Sequence, residues 1–149
     1  MIKKNLILIS LIFFLTSCGF KPIYLKNTDL SFSIEQVNYK GDRDLNNFLK
    51  TNLIKYKNKK SDNKIYIEAN STYKKIVLSK DSTGEITSYQ LEAEVIFSIM
   101  PLNKKIKIRE KKIMNSKDDK FEEARDERSV KQNFASSISN KLSTELIVN

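Results

Sequence analysis

Residues 87–100, TSYQLEAEVIFSIM, contain the most regular pattern of apolar residues in the chain. Every second position from Tyr89 onward is apolar, and Glu92 and Glu94 stand between apolar neighbours. The alternating apolar residues are Tyr89, Leu91, Ala93, Val95, Phe97 and Ile99. Because successive side chains of a β-strand point to opposite faces, this period of two predicts a strand with one buried face and one solvated face.

The segment before it, KIYIEANSTYKKIVLSK at 64–80, also alternates, but its apolar positions change phase. The alternation is lost near Thr72 and returns at Ile76, so we expect a β-bulge at 71–74. The following residues, DSTGE, include Gly84, which tolerates the positive φ that tight turns often need. The two segments are therefore predicted to be successive strands of a meander.

Two more strands are predicted, one before this pair and one after it in the sequence. KKIKIREKKIM at 104–114 alternates isoleucine with lysine, as a strand with one solvated face does. Pro101 opens the short turn that precedes it. LSFSIEQVNY at 30–39 begins with three apolar residues at a period of two, which are Leu30, Phe32 and Ile34.

Two segments show helical periodicity instead. In 43–56, apolar residues recur at spacings of three and four, after a glycine breaker and after Asp42 as the expected N-cap. These apolar residues are Leu45, Phe48, Leu49, Leu53 and Tyr56. The second helix is predicted at 121–148, with Asp118 or Asp119 capping its start. Its predicted apolar stripe consists of Phe121, Ala124, Val130, Phe134, Ala135, Ile138, Leu142 and Leu146.

The predicted order of elements is βαβββα. Two amphipathic helices and a sheet with one apolar face bury one another in a two-layer sandwich. We therefore predict an α+β fold in which a four-stranded, mostly antiparallel sheet packs on two helices. Residues 30–149 have a length typical of a single domain, and a lead-in at 18–29 precedes them.

The N-terminus has the three parts of a secretory signal peptide. Lys3 and Lys4 provide the basic start, the run LILISLIFFL at 6–15 is apolar except for one serine, and small residues follow. A transmembrane helix is the alternative, but spanning a bilayer takes about 20 apolar residues, and this run has half that length. We therefore assign residues 1–17 to a signal peptide.

Cys18, the only cysteine of the chain, follows this segment directly. A single thiol in an exported protein has no internal disulfide partner, so it pairs with another chain, stays free or is modified. LTSC at 15–18 resembles the bacterial lipobox. The resemblance implies that the Cys18 thiol receives diacylglycerol, that a peptidase cuts between Ser17 and Cys18, and that the new amine is acylated. Gly19 replaces the aspartate associated with inner-membrane retention, which favours the outer membrane.

The composition argues against an enzyme. The chain contains no histidine, so it has neither a Ser-His-Asp nor a Cys-His arrangement, and its one thiol is committed to lipid. Carboxylates near the start of the second helix are candidate metal ligands, but their mixture with cations favours capping and salt bridges. They are Asp118, Asp119, Glu122, Glu123, Asp126 and Glu127. No catalytic residue, metal site or cofactor is predicted.

The formal net charge is +9, and removal of Lys3 and Lys4 with the signal peptide leaves +7. The lysine-rich composition accounts for part of this charge, and the rest favours an anionic partner. Nucleic acid is a poor candidate for an exported protein, which leaves anionic lipid or saccharide phosphate. Cations on adjacent strands and their turns are suited to binding such phosphates. The candidates are Lys74, Lys75, Lys80, Arg109, Lys111 and Lys112. The alternative is that these side chains solvate the sheet and protect its edge strands from pairing, since lysine is common throughout the chain.

Two longer stretches resemble a known family. CGFKPIY at 18–24 and the C-terminal helix FEEARDERSVKQNFASSISNKLSTEL resemble the LPS-assembly lipoprotein family, LptE, in its alphaproteobacterial form. The mature start matches at Cys18, Gly19, Phe20, Pro22 and Tyr24, with Ile23 in place of leucine. The helix matches at Ala124, Arg125, Asp126, Arg128, Ala135, Ile138 and Leu142. The predicted order βαβββα agrees with this resemblance.

The resemblance implies an outer-membrane binding protein that is not an enzyme. LptE-type proteins are anchored in the inner leaflet, sit inside the β-barrel LptD, help it assemble and bind lipopolysaccharide. For this chain, the implied partners are an LptD-type barrel, lipopolysaccharide and the membrane through the lipid anchor, with the body facing the periplasm and the barrel lumen. The alternative is a generic envelope lipoprotein, either a structural tether or an auxiliary subunit of a lipid-transport complex, because fold does not fix function.

Overall fold

The alternating stretch at 87–100 forms an interior strand of a four-stranded sheet. The structure, a computed structural model, describes residues 32–57, 61 and 63–147. Its strands are β1 (Ser33–Gly41), β2 (Lys64–Lys80), β3 (Ile86–Met100) and β4 (Lys104–Asn115). Its helices are α1 (Arg43–Leu53), followed by a 3-10 turn at Ile54–Tyr56, and α2 (Lys120–Ile147). The predicted order βαβββα is confirmed.

The sheet has the order β1-β2-β3-β4, so each strand lies beside its neighbour in sequence. β2, β3 and β4 form an antiparallel meander, as short turns between strands require. β1 pairs with β2 in parallel, because the chain passes through α1 before it returns to the sheet. The predicted α+β class with a mostly antiparallel sheet is therefore confirmed, with one parallel pair.

One face of the sheet, which we call the inner face, is covered by α1 and α2. The apolar residues of β3 that alternate in sequence point to this face, and Leu91, Val95 and Phe97 are fully buried. From α2, Phe134, Ile138 and Leu142 enter the same core. The predicted phase of β3 and the middle of the predicted helix stripe are thus confirmed.

The start of α1 depends on two adjacent residues. The Oδ1 atom of Asp42 accepts the backbone N–H of Leu45 at 2.8 Å, which confirms Asp42 as the N-cap. Gly41 has a φ of +95°, and a Cβ at this position would lie 1.8 Å from the carbonyl oxygen of Ser71. Only glycine fits where β1 leaves the sheet and α1 begins.

The β-bulge predicted at 71–74 is wrong. β2 pairs with β3 without interruption from Tyr66 opposite Met100 to Val77 opposite Tyr89, and its register shifts only beyond Val77. The apolar pattern changes phase because β2 continues past the end of β1, where its apolar residues lie on the other face. We call this face, which points away from the helices, the outer face.

The apolar stripe predicted for α2 is wrong at its N-terminal end. Phe121 is 90% exposed, and Ala124 is also exposed, while Glu123 is buried. The carboxylate of Glu123 turns inward because Lys75 on β2 lies next to it. Asp119 is the cap, since its Oδ1 atom accepts the backbone N–H of Phe121 at 2.8 Å.

The anchor predictions concern residues that the structure does not describe. The signal peptide at 1–17, Cys18, the lead-in at 18–29 and Leu30 all lie outside the described residues. Within the described ranges, neither helix is both long and apolar enough to cross a membrane.

Candidate functional site

The outer face of the sheet carries a ladder of charged side chains on its three meander strands. The register places Lys74 of β2 beside Glu92 of β3, and Glu92 beside Lys111 of β4. The next row consists of Thr72, Glu94 and Arg109. We call these six residues the outer-face ladder. Alternation along each strand and pairing between strands bring these side chains together.

The two carboxylates of the ladder are held by cations from β4. The Nζ atom of Lys111 lies 2.7 Å from Glu92, while Arg109 donates from Nε to Glu94 at 2.9 Å. Lys107 contacts the other oxygen of Glu94 at 3.0 Å. Hydrogen bonds from Lys111 and from Arg109 lower the pKa of Glu92 and of Glu94, respectively, so both carboxylates stay ionised at neutral pH.

Lys74 is the cation of the ladder that has no internal counter-ion. Within the described part of the chain, no carboxylate oxygen lies within 4.0 Å of its ammonium group. A depression of about 230 Å³ opens beside it and is lined by the ladder residues other than Lys111. An exposed ammonium at the rim of a polar depression can bind an anionic oxygen, with Arg109 as a second donor.

Lys75, the neighbour of Lys74, points to the inner face and has a different role. Its Nζ atom donates to Glu123 at 2.8 Å and to Glu127 at 3.0 Å, and it lies 4.1 Å from the centre of the Tyr89 ring. Partial burial lowers the pKa of Lys75, but the hydrogen bonds to both glutamates outweigh it, so the net shift is upward. Lys75 therefore joins β2 to α2.

Glu123 lies at the centre of a group of polar side chains around the start of α2, which we call the Glu123 cluster. Besides Lys75, it accepts hydrogen bonds from the backbone N–H of Lys117 at 3.1 Å and from the hydroxyl of Ser116 at 3.0 Å. The ammonium of Lys120 lies 3.2 Å away. The hydrogen bond from Lys75, followed by that from Lys117, lowers the pKa of Glu123 to about 2. The carboxylate is thus buried, ionised and fully partnered.

The acidic residues at the start of α2 are used in the fold. Asp119 caps the helix, Glu123 binds Lys75, and Asp126 lies 2.7 Å from Lys117. No cluster of carboxylates, cysteine or histidine suited to a metal ion occurs in the part of the chain that is described. These contacts agree with the interpretation of this acidic group as caps and salt bridges.

The six candidate cations occupy three places. Lys74, Arg109 and Lys111 lie together on the outer face, while Lys75 and Lys112 flank Leu91 on the inner face. Lys80 ends β2 beside the turn to β3. Sequence reasoning did not identify Glu92 and Glu94 as partners of these cations. The sequence did contain a signal for this pairing. Both glutamates stand at solvated positions of a predicted strand, and the next predicted strand carries cations at alternate positions.

A second cleft, of about 540 Å³, lies between β4 and the C-terminal half of α2. Two of its lining residues are bonded to Glu110: the hydroxyl of Ser137 donates to this carboxylate at 2.7 Å, and Lys141 contacts it at 2.7 Å. Lys104 also donates to the backbone oxygen of Glu145. This cleft has fewer available charges than the depression on the outer face.

The Glu123 cluster predicts a specific pH dependence of stability. Because its folded pKa of about 2 lies below its usual 4.5, Glu123 stabilises the fold above pH 4.5 and loses this effect as pH falls towards 2. The shift corresponds to up to about 3 kcal/mol. We expect Glu123→Gln to be less stable than the unchanged protein at pH 7 and nearly equal to it near pH 2.

This pH dependence is measured by urea unfolding of both proteins between pH 7 and pH 2. Asp44→Asn is the control, because Asp44 is exposed and pairs only at 3.7 Å with Lys131. A stability difference for Glu123→Gln that stays constant across this range would show that its carboxylate has no depressed pKa.

Comparison with known proteins gives matches in structure only. No protein-family profile matches the chain, and no curated protein is similar to it in sequence. Rare lipoprotein B from Shewanella oneidensis superposes with a TM-score of 0.56 at 12% identity, over 75% of this chain and 93% of that chain. Uncharacterized lipoprotein B from Nitrosomonas europaea superposes with a TM-score of 0.56 at 15% identity, over 83% of this chain and 90% of that chain. The minor lipoprotein from Acinetobacter baumannii superposes with a TM-score of 0.50 at 16% identity, over 74% of this chain and 94% of that chain. The likeness establishes a shared fold.

Proposed function

We propose that this chain is a lipid-anchored outer-membrane protein of the LptE type, which occupies an LptD-type β-barrel, helps it assemble and binds lipopolysaccharide. The observation that carries the proposal is the shared fold, which extends over at least nine-tenths of three proteins named as lipoproteins. The lipobox-like LTSC at 15–18 supports it independently, because it places a cysteine directly after a signal peptide.

The surface chemistry of the sheet supports a position inside a barrel. The interior of a large outer-membrane barrel is polar and hydrated, so a protein that fills it needs a polar surface. On the outer face, Glu92 and Glu94 are neutralised by cations of the adjacent strand. This face is therefore polar, as a body inside a hydrated barrel requires, and its cations outnumber its carboxylates.

The cations without internal partners define the part that binds lipopolysaccharide. Lys74 and Lys80 have no carboxylate within 4.0 Å among the residues described, whereas Arg109 and Lys111 already pair with Glu94 and Glu92 and serve only as additional donors. Phosphate oxygens are good acceptors for such groups. Lys75 is left out of this set because its ammonium is bound by two glutamates.

The proposal is tested by identifying the partner. The mature chain, carrying an affinity tag at its C-terminus, is extracted from native membranes with mild detergent, and the proteins that co-purify are identified. We expect one large outer-membrane β-barrel in stoichiometric amount. Co-purification of an inner-membrane transporter instead would support the role of auxiliary subunit in lipid transport and would contradict the barrel assignment.

Lipopolysaccharide binding is expected to depend on Lys74 and Lys80. Replacing both with glutamate should weaken binding of purified lipopolysaccharide about tenfold, because two exposed ion pairs contribute about 0.2–1 kcal/mol each and repulsion adds to their loss. Binding by the unchanged protein should also weaken as salt rises. Both effects are measured by fluorescence titration at two salt concentrations.

The matched control is Lys55→Glu with Lys57→Glu, which changes the net charge equally beside the starts of β1 and β2, away from the end of β2 that carries Lys80. Thermal unfolding of both variants checks that the fold is retained. Equal weakening by both pairs would mean that attraction comes from net charge alone. No weakening by either pair would leave the lysines as a solvated face.

A further inference from the structure

The second strand of the sheet is longer than its parallel neighbour. The pairing of β1 with β2 ends where Gly41 meets Ser71, and the chain then turns into α1. β2 continues to Lys80 and pairs with β3 on one side only. On its other side, the second half of β2 has no neighbouring strand among the residues that the structure describes.

The hydrogen bonds show which backbone groups face this open side. The carbonyl oxygen of Ser71 accepts the N–H of Asp42 at 3.2 Å, so the backbone groups of Ser71 point away from β3. Backbone direction alternates along a strand, and the ladder with β3 is regular as far as Val77. The N–H and C=O groups of Tyr73, Lys75 and Val77 therefore face the open side. We call these three residues the open edge.

The open edge is only partly protected in the way that edge strands usually are, because Lys74 and Lys80 are exposed but Lys75 is not free. Exposed lysines commonly block the addition of another strand, but the ammonium of Lys75 is drawn to α2 by Glu123. The residues that follow are apolar and exposed: Ile76 is 41% exposed, Val77 is 44% exposed and Leu78 is 49% exposed. Three consecutive exposed apolar residues beside unpaired backbone groups are typical of a binding surface.

We propose that the open edge binds an extended segment of a partner protein, which adds to the sheet as a fifth strand beside β2. The segment alternates apolar and acidic residues. Its apolar side chains cover Val77 on the inner face, and its carboxylates approach Lys74 and Lys80 on the outer face, which have no carboxylate within 4.0 Å in the described ranges. Main-chain hydrogen bonds supply affinity, and side chains supply specificity, as in other cases of strand addition.

Charge selects this occupant over a second copy of the chain. Residues 72–80, TYKKIVLSK, contain three lysines and no acidic residue. Pairing two copies of this strand would place lysines close together, whereas an acidic segment neutralises them. The inference requires neither the lipid anchor nor lipopolysaccharide. It shares Lys74 and Lys80 with the proposed function, so its tests are made without lipopolysaccharide and on backbone amides, where its failure is distinguishable from that of the proposed function.

The first test is amide hydrogen exchange by NMR on the mature protein. In the free protein, the amides of Tyr73, Lys75 and Val77 should exchange rapidly, while those of Lys74 and Ile76, bonded to β3, exchange slowly. Slow exchange of all five at every protein concentration would show that the chain covers its own edge, and protection that rises with concentration would identify a second copy. Either result overturns the proposal.

The second test uses a capped nonapeptide of alternating valine and glutamate as the probe. Its addition should slow exchange at Tyr73, Lys75 and Val77 by about tenfold or more, since each amide gains a hydrogen bond. The matched peptide of alternating valine and lysine should bind about tenfold more weakly. Equal binding of both peptides, or protection of other amides only, would overturn the proposal.

A backbone variant separates strand addition from side-chain contact. Val77→Pro removes an N–H that faces the open side and leaves the hydrogen bonds to β3 intact, as proline on an edge strand permits. We expect the melting temperature to change little and affinity for the acidic peptide to fall about tenfold or more. Val77→Thr retains the N–H and should bind like the unchanged protein.

Should Val77→Pro fail to fold, a peptide methylated on alternate amide nitrogens is used with the unchanged protein, because it removes the same hydrogen bonds from the peptide's side. Undiminished binding in whichever of these experiments is performed contradicts the proposal.

Discussion

Replacing Phe97 with alanine is expected to lower the free energy of unfolding by about 3–5 kcal/mol. Its side chain is fully buried in the core between the sheet and α2. Its cross-strand neighbours are Ala69 on β2 and Ile106 on β4. Because Ala69 is small and the strands on both sides are fixed by hydrogen bonds, nearby groups fill little of the resulting cavity. Urea unfolding followed by circular dichroism measures the loss.

Two further variants show whether this loss reflects the sheet–helix interface. Ile138→Ala removes buried atoms from α2 in the same core and should cost about 2–5 kcal/mol. Glu92→Ala, on the outer face of β3, removes a partly exposed pair with Lys111 and a hydrogen bond from the amide of Gln90, and should cost about 1 kcal/mol or less. Similar small losses for all three variants would contradict the assignment of the inner face.

Replacing Cys18 with alanine is expected to abolish lipid attachment completely. The chain has no other cysteine, so no alternative thiol is present for acylation. Each buried methylene contributes about 0.8 kcal/mol, and stable anchoring needs two or more acyl chains. The variant should therefore be uncleaved or soluble. Labelling with radioactive palmitate and partitioning into a detergent phase measure the two consequences.

Ser17→Ala is the matched control for this experiment, since it alters the adjacent residue and retains a small side chain at the expected cleavage site. It should be labelled and partitioned like the unchanged protein. Normal palmitate labelling of Cys18→Ala would rule out the lipoprotein assignment, whatever partner the body of the protein binds.

Much of the fold could be predicted because its main determinants are local. The alternation in β3 reports burial on one face, and Asp42 is a capping residue whose partner lies three residues away. The point at which β1 ends beside β2 depends on residues that are far apart in sequence. Ile76 lies on the outer face because β1 has already ended, so a change of face resembles a bulge when only the sequence is visible.

The start of α2 shows a second limit of periodicity. Phe121 is apolar and in phase with the predicted stripe, yet it is 90% exposed, while Glu123 is buried. Hydrophobic spacing cannot reveal that Lys75, 48 residues away in sequence, supplies a counter-ion. Burial of a charge is determined by its partner, and partners distant in sequence become visible only in the folded structure.

The sequence predicted which kinds of residue lie on the sheet surface, but it did not predict which of these side chains pair with one another. Lysine and arginine on adjacent strands correctly indicated a charged sheet surface. Alternation assigns Lys74 and Lys75 to opposite faces, but it does not show that Glu123 binds one and that the other lacks a carboxylate partner among the described residues. That distinction decides which cation remains available for an anionic ligand.

The position of α2 in the chain has a consequence for biogenesis. A polypeptide is synthesised and transported from its N-terminus, so all four strands emerge before the helix segment that contains Phe134, Ile138 and Leu142. Until that segment arrives, the side chains of Leu91, Val95 and Phe97 lack the cover that α2 provides, and the nascent sheet is prone to aggregate. The sandwich is therefore completed only at the end of synthesis, when α2 docks on the inner face.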